Sequence, residues 1–331
     1  MSARNKTFVG LAVVAATAAA VWGAEQASVR RSRRQEDPDA LNEFMPEFDE
    51  THTFPSHDGG VINAISRGKG PAIVLSHGVT LSVRTWAKQM EFLPEAGFRA
   101  VAFDHRGHGG SVAGSTGHTI ENLAWDVRTV LESMDLHDAV LVGHSMGGIA
   151  VLAFMVTFPE IAAERVSGIV MLSSMARTPL SGHEGLARFV GALSARGPDV
   201  TGLLNRRDLG YLMSRVGFGS EALPSHIELT REMVLECPPE TRKAAGRALL
   251  NLDLVEQIAS IRMPTLVIGG TADVLTPPAE SRRMAATIPG ASLEIVPRGG
   301  HMLMFERTEL VNELISSFAR RVQHSSANLG S

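Results

Sequence analysis

The sequence predicts an α/β fold: a mainly parallel sheet with helices on both faces and a helical insertion between two of its strands. Three observations predict it. Short, continuous apolar runs alternate with longer segments of helical periodicity, the pattern of strands covered on both faces by helices. Between Met175 and about Ile258 the strand signal disappears and helical spacing replaces it. The chain has 331 residues, 44% hydrophobic and 20% charged, enough apolar material for a sizeable core and too little charge for a disordered chain.

The elements follow in order. Thr51 to Phe54 and Val61 to Ser66 read as short strands joined by a hairpin at Asp58-Gly59-Gly60. Ala72 to Leu75 is a fully apolar run, and Ala100 to Phe103 is the next. Trp86 to Ala96 lies between them as a helix closed by Gly97. Ile120 to Met134 is a longer helix with Ile120, Leu123, Ala124, Val127, Val130 and Leu131 on one face. Ala139 to Val142 and Gly168 to Leu172 are strands, and Ile149 to Phe158 is apolar almost all round, as a buried helix is. In the insertion, about residues 176–258, Leu186, Phe189, Val190 and Leu193 fall at i, i+3, i+4, i+7, as do Leu209, Leu212, Met213 and Val216. The strand Leu266 to Ile268, a helix from Glu280 to Ile288, the strand Leu293 to Val296 and a helix from Glu309 to Arg321 complete the domain. Residues 51–322 form it, and residues 323–331 read as a flexible tail. No period repeats, which excludes a solenoid.

The N-terminus reads differently. Thr7 to Ala24 is an uncharged 18-residue run, long enough as a helix to span ~27 Å of a bilayer. Its length favours an uncleaved membrane anchor in residues 1–24. The alternative is a secretory signal peptide with Ala18-Ala19-Ala20 at its cleavage site. Glu25 to Glu50, charged and carrying Pro38 and Pro46, reads as a tether to the domain. Residues 1–34 carry a net charge of +5 and the remainder −9. An acidic body without a basic stripe argues against nucleic acid as a partner. The single cysteine, Cys237, excludes an internal disulfide framework and a thiolate zinc site.

The chemistry concentrates on loops after strands. Gly143-His144-Ser145-Met146-Gly147 matches G-x-S-x-G, after a strand and opening a helix. That context gives the motif its meaning: a sharp turn exposes the serine hydroxyl, and flanking glycines leave room where a Cβ would collide. The helix N-terminus behind Ser145 favours negative charge there.

With this elbow, three further motifs stand in order: Ser76-His77-Gly78-Val79, Asp104-His105-Arg106-Gly107-His108-Gly109-Gly110-Ser111, and Asp273 followed by His301. From Thr51 to Val322 the sequence resembles the α/β-hydrolases, the group that includes esterases, lipases, C–C bond hydrolases and cofactor-free haloperoxidase-like enzymes. The resemblance implies an α/β-hydrolase sheet with a helical cap. It implies Ser145 as nucleophile, His301 as its base and Asp273 as the acid orienting that base, in the fold's Ser, acid, His order. The Met146 and Val79 N–H groups would form the oxyanion hole. Many relatives carry an aromatic and a proline where this chain has Val79-Thr80, a departure from the haloperoxidase-like pattern. The elbow and the Asp104-to-Ser111 loop resemble monoacylglycerol-lipase-like sequences.

Other candidates read as structural. His105, His108 and His118 are loop residues, His144 supports the elbow, and Asp104 and Arg106 brace turns. His105-x-x-His108 has no third ligand near it, and no dinucleotide fingerprint follows the first strands. No metal or cofactor is expected. The implied activity is hydrolysis of small apolar esters or acyl compounds through an acyl-enzyme. C–C bond cleavage or perhydrolysis with the same three residues is the alternative, and a catalytically silent binding protein is the alternative of another class.

Overall fold

The computed structural model describes residues 29–42, 44–178, 201–250 and 252–329. Eight strands, β1 (Glu50–Pro55), β2 (Val61–Arg67), β3 (Ala72–Ser76), β4 (Arg99–Phe103), β5 (Ala139–His144), β6 (Val166–Leu172), β7 (Thr265–Gly270) and β8 (Ser292–Val296), form one sheet. Their order is β1-β2-β4-β3-β5-β6-β7-β8. β1–β2 and β2–β4 pair antiparallel and every later pair is parallel. The expected fold class is therefore the observed one.

Every residue of β3, β5, β6 and β7 is buried. Alternate side chains of a strand point to opposite faces, and the core divides accordingly. Ile73, Leu75, Val140, Val142, Val170 and Leu172 pack with Met90 and Leu93 of the helix Ala87–Glu95 and with Ile315 and Phe318 of the C-terminal helix Thr308–Leu329. Val74, Leu141, Ile169 and Met171 face the other way, toward Leu123 and Val127 of Ile120–Ser133 and Ala150 and Phe154 of Met146–Thr157. Thr119 starts Ile120–Ser133 by accepting the Asn122 N–H at 3.0 Å.

Four differences from the sequence reading have physical causes. The elbow helix begins at Met146, not Ile149; Gly147 and Gly148 lie inside it because their missing side chains let it press against Ser76 and Ser174. A short helix Pro159–Arg165, opened by a proline in its first turn, follows it at once. The C-terminal helix continues to Leu329 rather than stopping near Arg321, so most of the expected flexible tail is helical.

The fourth concerns the tether. Over its described residues it is docked. Val29 and Phe44 are buried, Ser32 Oγ lies 2.7 Å from Tyr211 Oη, and Arg33 pairs with Asp208 at 3.0 Å. Asp37 accepts from Ser225, and Asp39 pairs with Lys88 and His226. Charges that read as solvated thus find partners more than 150 residues away, Lys88 excepted, and nothing local signals that.

Between β6 and β7 the chain forms the helices Thr201–Leu204, Arg207–Arg215, Pro224–Glu236 and Pro239–Leu250. The apolar stripe at Leu209, Leu212, Met213 and Val216 falls on Arg207–Arg215 and its C-cap. The stripe at Leu186 to Leu193, and the apolar run at Thr7 to Ala24, lie outside the described residues. Among the described residues, no single helix is long and apolar enough to cross a membrane.

Candidate active site

Ser145 ends β5 and opens the helix Met146–Thr157 with φ 53° and ψ −118°. A non-glycine residue in that region carries about 1–3 kcal/mol of strain, sustained only where the surroundings enforce it. They do so here. The Ser145 N–H donates to the Leu172 carbonyl at 3.1 Å, and its carbonyl accepts from Ile149 N at 3.1 Å and Ser174 Oγ at 2.8 Å. A Cβ on Gly143 would strike the Gly148 backbone, and one on Gly147 would strike that of Ser76. The two motif glycines let the turn close on itself.

Asp273 and His301 come from the loops after β7 and β8, 28 residues apart, and meet with Nδ1 of His301 2.9 Å from Oδ2 of Asp273. Asp273 is buried, with its other oxygen accepting the N–H groups of Leu275 and Thr276 at 2.9 and 2.8 Å. Thr276 Oγ1 donates to Oδ2 at 2.6 Å. Burial pushes the Asp273 carboxyl up, but the hydrogen bonds and charge from His301 and Thr276 outweigh it and hold the group below its ordinary range. A carboxylate on Nδ1 fixes the ring as Nδ1–H and leaves Nε2 free to accept a proton. The motif Asp273-x-x-Thr276 carried the signal for Thr276, which the sequence reading did not single out.

His301 is held from three sides. Its N–H donates to the Gly217 carbonyl of the cap at 2.8 Å, and its carbonyl accepts His144 Nε2 at 3.0 Å. Glu306, buried, accepts the N–H of Gly300 at 3.0 Å and of Gly219 at 2.7 Å. The cap is thereby tied to the histidine loop.

Ser145, His301 and Val79 line one cavity of about 410 Å³. Met175, Leu204, Met213, Val234, Leu249 and Met302 supply much of its apolar wall. Met146 follows Ser145 as the first residue of its helix, with its side chain buried on the far side in the core. Among the described residues no cluster of three or more His, Cys, Asp or Glu could hold a metal.

Two buried histidines support the Val79 loop: His77 of the Ser76-His77-Gly78-Val79 motif, and His108, which the sequence alone reads as a loop residue. His77 donates Nδ1–H to the Gly78 carbonyl at 2.7 Å and accepts the His105 N–H at 3.1 Å. His108 accepts the Thr80 N–H at 3.2 Å and donates Nδ1–H to the Arg106 carbonyl at 3.0 Å. Thr80 has φ 64°, so this bond helps hold a strained residue beside Val79. Arg106, also buried, spans Asp126 and Asp58 at 2.8 and 2.9 Å, the bracing role its motif suggested.

These rings need to be neutral, and burial keeps them so. Burial, reinforced by neighbouring histidines, holds His77 well below its ordinary range, His108 at about 4 and His144 at about 3. An unfolded chain binds protons on these side chains from about pH 6.5 downward while the folded one refuses them. Their stabilisation is therefore complete above pH 6.5 and is lost as pH falls toward 4, at about 1.4 kcal/mol per unit for each histidine. Burial raises Asp104 and Glu306, which opposes the trend at its acid end. Thermal unfolding should show Tm falling steadily between pH 6.5 and 4.5; a flat Tm would contradict neutral burial of the three rings.

Comparison with known proteins bears on the family. A model described as the alpha/beta hydrolase family matches residues 73–314. The chain belongs to the alpha/beta hydrolase family. A non-heme chloroperoxidase from Burkholderia pyrrocinia is 29% identical over 261 residues, 75% of this chain and 91% of that protein. A 3-oxoadipate enol-lactonase from Acinetobacter baylyi is 28% identical over 254 residues, covering 76% and 90%. Among solved structures, a thermophilic esterase from Thermogutta terrifontis superposes with a TM-score of 0.69 at 27% identity, over 83% of this hydrolase and all of that chain. An esterase from Exiguobacterium antarcticum, at 22% identity and a TM-score of 0.73 over 82% of this hydrolase and all of that chain, shares the fold.

Proposed function

We propose that this hydrolase cleaves carboxylic esters of apolar substrates with Ser145, His301 and Asp273 as its catalytic triad. The observation that carries the reading is the meeting of a strained, cavity-facing serine and a carboxylate-oriented histidine on one apolar cavity. Nε2 of His301 takes the Ser145 proton as Oγ attacks the acyl carbon. The N–H groups of Met146 and Val79 stabilise the oxyanion, each worth about 3 kcal/mol of barrier. The imidazolium, stabilised by Asp273, returns the proton to the departing alkoxide. Water, deprotonated by His301, then cleaves the acyl-enzyme and restores Ser145. The esterase and lactonase relatives support ester chemistry. The test is labelling of Ser145 by a fluorophosphonate together with turnover of a p-nitrophenyl ester series. Absence of both would identify a silent binding member of the family.

The chloroperoxidase relative supports a second reading, perhydrolysis by the same three residues, with C–C cleavage its close variant. Selective turnover of peroxide or ring-cleavage diketones over esters would favour it.

We also infer association with a membrane through residues 7–24, on the length of that apolar run. The full-length protein should sediment with membranes and resist high salt, since an apolar helix is not held by screened charge. Removal of residues 1–28 should release an enzyme of unchanged turnover on a soluble short-chain ester. The cut is placed there because Ser32 and Arg33 contact the cap. An intact full-length chain found in the soluble fraction would defeat the anchor; a chain released after Ala20 or Ala24 would identify a signal peptide instead.

A further inference from the structure

Nine large apolar side chains are exposed among the described residues, and four of them gather at one place. Met213 (37% exposed), Val216 (55%) and Leu275 (48%) line the cavity, and Val274 (64%) adjoins Leu275. Met213 and Val216 come from the cap helix Arg207–Arg215 and its end, Val274 and Leu275 from the loop that carries Asp273. The two parts abut: a Cβ on Gly217 would lie 3.8 Å from Leu275 Cδ1. The mouth of the cavity is thus rimmed with apolar side chains from both cap and body. A contiguous apolar surface around an apolar cavity marks a site that meets an apolar partner.

The start of the described chain says which partner. Residues 29–33 form a helical turn on the same cap helix, through Ser32 on Tyr211 and Arg33 on Asp208. The apolar run ends at Ala24, five residues before Val29, so at full extension its end lies within about 18 Å of this attachment. Arg30, Arg31 and Arg34, exposed in and just after that turn, present positive charge where anionic headgroups would lie. An apolar segment, a cationic collar and an apolar mouth are attached to one short helix.

We propose that the rim of Met213, Val216, Val274 and Leu275 rests on an anionic lipid bilayer, so that an apolar ester enters the cavity from the lipid phase. The proposal rests on the ester and membrane readings above and adds an orientation that neither contains. Tethering at residue 24 alone would let the domain rotate freely; contact at the rim turns the mouth toward the lipid.

The full-length protein, reconstituted in phosphatidylcholine–phosphatidylglycerol vesicles, tests it. A fluorophore is attached to Val274→Cys or, as a control at the opposite end of the strands, to Lys69→Cys just before β3. Cys237 is buried and does not compete for the label. Quenching by lipids brominated on the upper acyl chain should be several-fold stronger at position 274 than at 69. Equal or absent quenching at both positions in vesicle-bound protein overturns the orientation and leaves anchoring intact. Failure to bind vesicles overturns both. A further measurement uses Val274→Ser, which should turn over a soluble short-chain ester as before while losing several-fold on an ester dispersed in the bilayer. Equal turnover on the bilayer ester, relative to the unchanged protein, would also overturn it.

Discussion

Ser145→Ala should abolish ester hydrolysis and fluorophosphonate labelling, with kcat reduced ~10⁶-fold, the scale seen when a triad nucleophile is removed. In the proposed mechanism Oγ is the atom that attacks the acyl carbon and carries the acyl group, and alanine has no atom in its place. The fold should remain, because the bonds that hold the elbow run through the Ser145 backbone to Leu172, Ile149 and Ser174. Alanine keeps the same Cβ and suffers the same positive φ. Tm should therefore stay near that of the unchanged protein, and the variant should still bind a non-hydrolysable substrate analogue in the apolar cavity. Retained turnover would move the nucleophile elsewhere.

The elements that were legible in the sequence share a cause. β3, β5, β6 and β7 are buried on both faces, so nearly every residue in them is apolar and their existence could be read without knowing their neighbours. The elbow was legible because the turn at Ser145 admits only small neighbours, and glycines at 143 and 147 leave a written trace. What escaped notice depends on contacts between distant segments. The docking of Asp37 and Asp39 on Ser225, His226 and Lys88 has no local periodicity. His108 looks like any loop histidine until its Nε2 is found on the Thr80 N–H. Glu306 ends the four-residue helix Leu303–Glu306, too short to carry a periodic pattern, and its partners Gly219 and Gly300 lie on two different loops. The cap stripe was visible, but not its destination. Met213 and Val216 are exposed at the cavity, while Gly210 and Tyr211 are buried on that helix.

Asp273→Asn should lower kcat by about 10⁴-fold while leaving KM and stability nearly unchanged. The geometry dictates which way the new amide points. Oδ1 of Asp273 accepts the N–H groups of both Leu275 and Thr276, so that position must keep an oxygen. The amide nitrogen is forced into the place of Oδ2, facing Nδ1 of His301 and Oγ1 of Thr276. Its two hydrogens satisfy both neighbours, which is why the fold should not suffer. One of them now donates to Nδ1, and the ring must carry its own proton on Nε2 instead. A histidine in that tautomer cannot accept the Ser145 proton. Thr276 Oγ1, 3.2 Å from Nδ1, cannot rescue it, since a neutral hydroxyl does not stabilise an imidazolium as a carboxylate does. Asp273→Ala separates the two contributions: it should lose activity on a similar scale and, by leaving two N–H groups without their acceptor, also lower Tm. Near-normal turnover by Asp273→Asn on the p-nitrophenyl series would show that another carboxylate orients His301.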